Sequence, residues 1–187
     1  MPYKLNTIIC STRPGRVGPS IARWFDEFAN QHDEFNSNLV DLADVGLPMY
    51  DEPNHPSLKQ YQNSHTKAWS RSVEAADAFV FVLPEYNYCP PPSYFNALDY
   101  VYKEWNYKPC GFVSYGGVSG GLRSAQLAKQ LATTVKMMPM MEGVMVQMAS
   151  SLIDENGNFS PAKHHESSAT AMLNELAKWT RALKTIR

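Results

Sequence analysis

The chain is poor in cysteine. Cys10, Cys89 and Cys110 are its only three. They are too few and too scattered for a disulfide framework or a zinc site, which points to a reducing, cytoplasmic setting and no bound metal. Net charge is nearly absent too, with 17 Lys and Arg against 18 Asp and Glu, or −1 at neutral pH. Such a balance leaves out the basic surface that nucleic acid or an anionic membrane requires, so neither is an expected partner. No apolar run is long enough to span a bilayer, and no signal-peptide core is evident. Repeats and low-complexity linkers are missing, and the prolines gather in loops, from Pro48 to Pro56 and from Pro84 to Pro92. One domain over residues 1–187, with ample chain for a core, is the expectation.

Two familiar phosphate motifs are also missing. There is no Gly-Lys-Ser/Thr of a Walker A loop, and no lysine between Lys4 and Lys59 to reach a β/γ-phosphate. The Gly-x-Gly-x-x-Gly dinucleotide fingerprint is absent as well. In their place stands the stretch from Ser11 to Ser20, with Ser11, Thr12, Arg13, Gly15, Arg16, Val17 and Gly18. It follows an apolar, β-branched run from Leu5 to Cys10 and precedes the amphipathic Ile21-Ala22-Arg23-Trp24-Phe25. A strand–loop–helix corner of this kind suits an anion, because N–H groups at the helix start are unpaired and the helix dipole adds positive potential. Arg13 and Arg16 can add charge-assisted hydrogen bonds. Two hydroxyls and two arginines with no metal partner suit a terminal monophosphate. The competing reading is a solvated turn whose arginines face water.

Apolar strand patterns alternate with helical ones. The strands are expected at Lys4–Cys10, Asn38–Asp41, Ala78–Leu83, Gly111–Tyr115 and Gly143–Met148. The helices are expected at Pro19–Gln31, Leu58–Ala75, Ser93–Trp105, Ser119–Val135 and Ala162–Thr185. Five βα units with near-continuous apolar strands imply an α/β protein, a parallel sheet covered on both faces. The count matches a flavodoxin-like doubly wound five-stranded parallel sheet of order 2-1-3-4-5. Ligands of such sheets bind at the carboxyl ends of the strands, near the switch point between the first and third.

The loops that should converge there are unusual. After the third strand come Pro84, Glu85, Tyr86 and Asn87, then Tyr88, Cys89 and three prolines. This stiff loop with flat side chains can hold the edge of a planar ring, although a proline-rich connector would look the same. After the fourth strand come Ser114, Tyr115, Gly116, Gly117, Val118, Ser119, Gly120 and Gly121. These glycines let a ring edge lie against bare backbone N–H groups; the plainer reading is a tight turn capped by Ser119. A phosphate at one end and a planar ring at the other describe flavin mononucleotide, FMN.

Three stretches resemble the NADPH-dependent FMN reductase family of flavodoxin-like proteins, which includes quinone, azo-dye and chromate reductases. They are Ser11 to Arg16, Pro84 to Asn87 followed by Phe95 to Tyr100, and Ser114 to Gly117. The resemblance covers about Lys4 to Met148. It implies FMN phosphate on Ser11, Arg13 and the backbone up to Gly18, and ring contacts at Pro84–Asn87 and Gly116–Gly117. NADPH or NADH would pass a hydride to flavin N5, and a quinone-like or other small acceptor would then take it by ping-pong kinetics. No catalytic side chain is required. Tyr86 and Tyr115 would line the ring pocket, and N–H groups near Gly116 and Gly117 would stabilise charge on the reduced ring. One departure is Pro91-Pro92-Ser93-Tyr94-Phe95, where relatives often have Pro-Gly then Leu-Lys.

Rival readings remain. Gly117-Val118-Ser119-Gly120-Gly121 fits the Gly-x-Ser-x-Gly of a serine hydrolase, with Asp154 and His164 or His165 following in order. Ser119 as a helix cap is favoured instead. A Rossmann dehydrogenase would use Asp41 at the end of the second strand, but lacks its glycines. A flavodoxin-type electron carrier is usually strongly acidic, unlike this chain. His164 and His165 read as solvated helix residues. Tyr94, Phe95, Leu98, Tyr102 and Trp105 exceed the needs of one core face, so part of that face is expected to make a homodimer or homotetramer contact beside the flavin.

Overall fold

The computed structural model describes residues 1–187. Strands β1 (Tyr3–Ile9), β2 (Phe35–Asp41), β3 (Ala78–Pro84) and β4 (Pro109–Tyr115) form the body of a parallel sheet. Two short strands, β5 (Met138–Pro139) and β6 (Val144–Val146), share the place beside β4, completing the order β2-β1-β3-β4-β5. The fifth strand therefore starts earlier than its apolar pattern suggests and is broken. The proline is tolerated at this edge because Met138 and Met140, on either side of it, donate to the Lys108 (3.0 Å) and Cys110 (2.8 Å) carbonyls, so the ladder runs past it.

The helices are α1 (Gly18–Ala29), α2 (Leu42–Val45), α3 (Ser64–Ala75), α4 (Pro92–Asp99), α5 (Leu122–Thr134) and α6 (Lys163–Leu183). Successive strand residues feed opposite faces. Leu5 and Ile9 of β1 and Val80 and Val82 of β3 pack under α1 and α6. Ile8, Phe79 and Phe81 pack under α3, α4 and α5, with Trp69 and Trp105. β3 and β4 are buried along their whole length because both faces are covered, whereas the edge strand β2 carries Asn36, Ser37, Asn38 and Asp41.

Three helices are shorter than their periodicity suggests. The segment expected to be helical from Leu58 makes only a 3₁₀ turn at Pro56–Leu58, and α3 begins at Ser64. Buried Glu52 accepts the N–H groups of Gln62 (2.8 Å) and Asn63 (2.9 Å) just before that start. Residues 46–63 consequently run as a strap along α4 and the start of α3. The helix expected at Ser93–Trp105 ends at Asp99 and resumes as a 3₁₀ turn at Lys103–Trp105. The one expected from Ser119 begins at Leu122.

Two surface expectations are corrected. Tyr94, Leu98 and Trp105 are at most 4% exposed, in the chain's own core, where the tryptophan stacks edge-on against Phe79 and Trp69. Of the five aromatic and leucine positions, only Phe95 and Tyr102 are partly exposed. His165 is buried, not solvated: its Nδ1 accepts the Ala162 N–H (3.0 Å) at the start of α6, and burial lowers its pKa.

Candidate functional site

Three loops meet at the carboxyl edge of the sheet because β1, β3 and β4 are hydrogen-bonded neighbours. Ser93 at the start of α4 donates to the Cys10 carbonyl, tying the second loop to the first. Ser124 of α5 donates to the Pro84 carbonyl (2.8 Å), and the Glu85 N–H donates to the Tyr115 carbonyl (3.2 Å), tying the second to the third.

The first loop runs from Ser11 into α1. No backbone N–H from Ser11 to Gly18 meets a protein acceptor. Val17 caps α1 without a side-chain bond. Ser11 Oγ and Tyr115 Oη are both buried and near each other, yet neither makes a hydrogen bond of good geometry to the other or to anything else in the chain. They face one spot beside Gly18, where a Cβ would come 2.5 Å from the Tyr115 hydroxyl and would also strike Ser11 Oγ. Burial pushes the Tyr115 phenol pKa up, so it stays a donor. Native proteins rarely leave two buried hydroxyls unpaired, and a bound acceptor is a regular reason when they do. The cradle fits a phosphate.

The two arginines divide. Arg13 is exposed and bonded to nothing in the chain. Arg16 grips Asp41 through both guanidinium ends (2.6 and 2.7 Å) and also donates to the Ser11 carbonyl. The Asp41 carboxylate holds the Arg16 pKa above its ordinary value. Arg16 thus braces the loop with its charge already matched, whereas the sequence suggested a second phosphate ligand. Asp41 is occupied by this pair and by the Ala43 N–H (3.0 Å).

The second loop is a tight hairpin. Tyr86 and Cys89 exchange two backbone bonds of 2.9 Å, and Asn87 (φ 49°) and Tyr88 (φ 70°) between them are left-handed. That is a type I′ turn built without glycine, so strain is stored there. Arg123 holds it, stacking 3.9 Å over the Tyr88 ring and pairing with Glu85 at 2.5 Å. Burial works against the Glu85 carboxylate. The Arg123 and Ser119 side chains and the Ser124 N–H outweigh it and keep the pKa below its usual value. Glu85 also accepts the Arg123 N–H (3.1 Å), so it supplies the negative charge at the start of α5.

In the third loop the Gly116 N–H, expected to be free, is taken by the Val146 carbonyl (3.2 Å); that of Gly117 has no protein acceptor. Ser119 does not cap α5, whose N-cap is Gly121. No histidine bonds to Ser119. Asp154 is turned on Asn156 and Asn158, and His165 on Ala162. The parts of a hydrolytic triad are therefore apart in function.

Two clefts lie alongside. One of about 420 Å³ reaches from Thr12 along the strap to Ser93; one of about 540 Å³ reaches from Met49 and Tyr50 to Tyr86, Asn87 and Phe95. They share Met49, Pro92 and Asn96, forming a trough from the first loop to the second. Asn96 fixes the strap, donating to the Pro48 carbonyl (2.7 Å) and accepting the Tyr50 N–H (3.0 Å). Sequence reasoning missed the strap, since its contacts to α4 are long-range and its scattered apolar residues follow no helical or strand period.

A flavodoxin-like sheet with a phosphate cradle after its first strand defines a mononucleotide-binding α/β protein. The comparisons narrow the class. Residues 3–151 match the NADPH-dependent FMN reductase family. An NAD(P)H-dependent FMN reductase of Schizosaccharomyces pombe is 44% identical over 136 residues, 72% of this chain and 68% of the relative. A quinone reductase of Pseudomonas putida is 25% identical over 195 residues, 98% of each. Among solved structures, the flavoenzyme NAD(P)H:(acceptor) oxidoreductase FerB of Paracoccus denitrificans superposes with a TM-score of 0.75 at 18% identity, covering 96% of this chain and 98% of that one. The chain belongs to the NADPH-dependent FMN reductase family. It is accordingly a flavin-dependent oxidoreductase, with FMN as cofactor and NAD(P)H as co-substrate. No helix is long and apolar enough to cross a membrane.

Proposed function

We propose that the protein reduces quinones and similar small planar acceptors with NAD(P)H in the cytoplasm. The overall reaction takes NAD(P)H, a proton and a quinone to NAD(P)⁺ and hydroquinone. The observation that carries this reading is the pair of partnerless buried hydroxyls, Ser11 and Tyr115, beside Gly18. They would hold the FMN phosphate with Arg13 and the free N–H groups from Thr12 to Gly18. Tyr86, Asn87 and the Gly117 N–H would hold the ring edge, positioned by Pro84, Glu85 and Gly116. Arg16 and Val17 shape the first loop. Bound FMN supplies hydride transfer at N5. The chain's own work is to orient and to exclude water, and no side chain need move a proton. A homodimer or homotetramer remains part of this reading; a monomeric mass at micromolar concentration would remove it.

The primary test is the spectrum of the purified protein. A yellow protein that quenches added FMN fluorescence is expected. A colourless one that leaves FMN fluorescence unchanged would sink the reading. NAD(P)H oxidation by a quinone without any partner protein separates an enzyme from an electron carrier.

Two kinetic outcomes are expected. Ser119→Ala should keep reductase turnover within about threefold of wild type, since Ser119 serves only turn geometry and Glu85. Ester hydrolysis that vanishes in this variant would revive the hydrolase reading. Nicotinamide and quinone would share the cleft at the second loop, so they cannot both be productively bound. Initial rates at several fixed quinone concentrations should give parallel lines, with excess quinone competing against NAD(P)H. Intersecting lines would mean two separate sites.

A further inference from the structure

A separate cleft of about 480 Å³ opens at the amino ends of the strands, the opposite end of the sheet from the three site loops. It lies where α3 ends and where β3 and β4 begin. Lys108 is in its wall and is 7% exposed. The ammonium donates to the Val73 (2.8 Å) and Glu74 (3.0 Å) carbonyls at the end of α3. Its third N–H meets no acceptor in the chain, and its charge has no counter-ion. The nearby carboxylates are engaged elsewhere. Lys59 holds Glu74 (2.9 Å), Lys184 holds Asp77 (2.7 Å), and the Tyr61 and Ser70 hydroxyls hold Glu104 (3.0 and 2.6 Å). A buried ammonium is ordinarily paired, because an unpaired one has given up its hydration for nothing.

A second cation makes the place less favourable still. Arg187 lines the same cleft, anchored by bonds to the Tyr107 and Asp77 carbonyls (each 2.9 Å). Burial and then Arg187 push the Lys108 pKa down to about 8, against the pull of Glu74, Asp77 and Glu104. Closing the negative end of α3 explains two of the three ammonium donors, but not the approach of a second positive charge. Tyr107, on the rim, is exposed and left-handed (φ 59°), a conformation that a bulky residue rarely takes without cause. Ile186, also exposed, completes an apolar side.

We infer that this cleft binds a small organic anion, with its carboxylate on Lys108 and Arg187 and its apolar or aromatic body against Tyr107 and Ile186. The site is independent of the reductase reading.

The test uses benzoate as probe and benzamide as its uncharged counterpart, on the FMN-loaded protein. Isotope-labelled lysine side chains are titrated by NMR, and the Lys108 signal is identified by its loss in Lys108→Met. Millimolar benzoate should raise the Lys108 pKa by about one unit, a tenfold preference for the charged amine, and benzamide should not. Benzoate should also raise the melting temperature of the wild type. Lys108→Met should weaken benzoate by about tenfold or more, whatever its own melting temperature. Arg187→Gln, at an exposed residue, should weaken benzoate severalfold and keeps the test open if Lys108→Met does not fold. A Lys108→Met protein that binds benzoate as the wild type does would show that the lysine only closes α3. An unmoved Lys108 pKa, or a perturbed flavin spectrum in its place, would put benzoate elsewhere and overturn the site. Flavin absorbance and NADPH-dependent quinone reduction should be unchanged in both variants, so this site and the reductase reading fail separately.

Discussion

Gly18→Ala is expected to abolish FMN binding at micromolar cofactor while the sheet stays folded. The new Cβ would sit 2.5 Å from the Tyr115 hydroxyl and nearer still to Ser11 Oγ. Ser11 is fully buried and Tyr115 is 5% exposed, so neither can swing aside. The methyl would push both partnerless hydroxyls out of the arrangement in which a phosphate would meet them. Losing two hydrogen bonds to a charged group, at about 1.5 kcal/mol or more each, amounts to roughly a hundredfold in affinity. Ser11→Ala separates ligand loss from damage to the fold. A partnerless buried hydroxyl costs about 1–3 kcal/mol, so its removal should raise the apo melting temperature by about 2–4 °C per kcal/mol while weakening FMN about tenfold. Titration calorimetry and melting curves of the same samples read both. A Ser11→Ala protein that melts lower and binds FMN normally would show that the hydroxyl serves the fold and not a ligand.

The sheet was legible because its strands are buried on both faces. Near-continuous apolar runs mark β1, β3 and β4 to within about two residues, and the order follows from alternation with helices. Periodicity failed where tertiary contacts decide the ends. Glu52, Lys59 with φ 54° and the preceding prolines hold residues 58–63 out of the helix that their spacing suggests. The fifth strand is split between β5 and β6 at the edge, and its upstream half carries too few residues for a pattern.

At the site, composition gave the neighbourhood but not the division of labour. Hydroxyls, arginines and glycines at the end of β1 point to phosphate whichever arginine makes the contact. That Arg16 faces Asp41 depends on parallel pairing of β1 with β2, 25 residues apart in sequence. The type I′ turn carries Asn87 and Tyr88 in place of the usual glycine, so no local signal announces it. Arg123 looks like an ordinary helix residue until the fold sets it over Tyr88.

The arginines supply the second large effect, and they should behave differently. Arg13→Ala should weaken FMN by about 1.5–3 kcal/mol, tenfold or more, because a charged hydrogen bond to phosphate is lost. Riboflavin, which lacks the phosphate, should bind as before, and the FMN deficit should shrink as salt rises. Arg16→Ala should act through the loop. It leaves Asp41, 15% exposed, without its partner and frees the Ser11 carbonyl. Breaking a fully buried pair costs about 3–5 kcal/mol, so this partly buried one should cost about 1–3 kcal/mol of stability. Because the whole loop loosens, FMN and riboflavin should lose affinity by similar factors, with little salt dependence. Fluorescence titration of both variants with both flavins decides the matter. Equal losses of FMN and riboflavin in Arg13→Ala would take that side chain off the phosphate. A loss confined to FMN in Arg16→Ala would mean that the Asp41 pair opens on binding and that both arginines reach the phosphate.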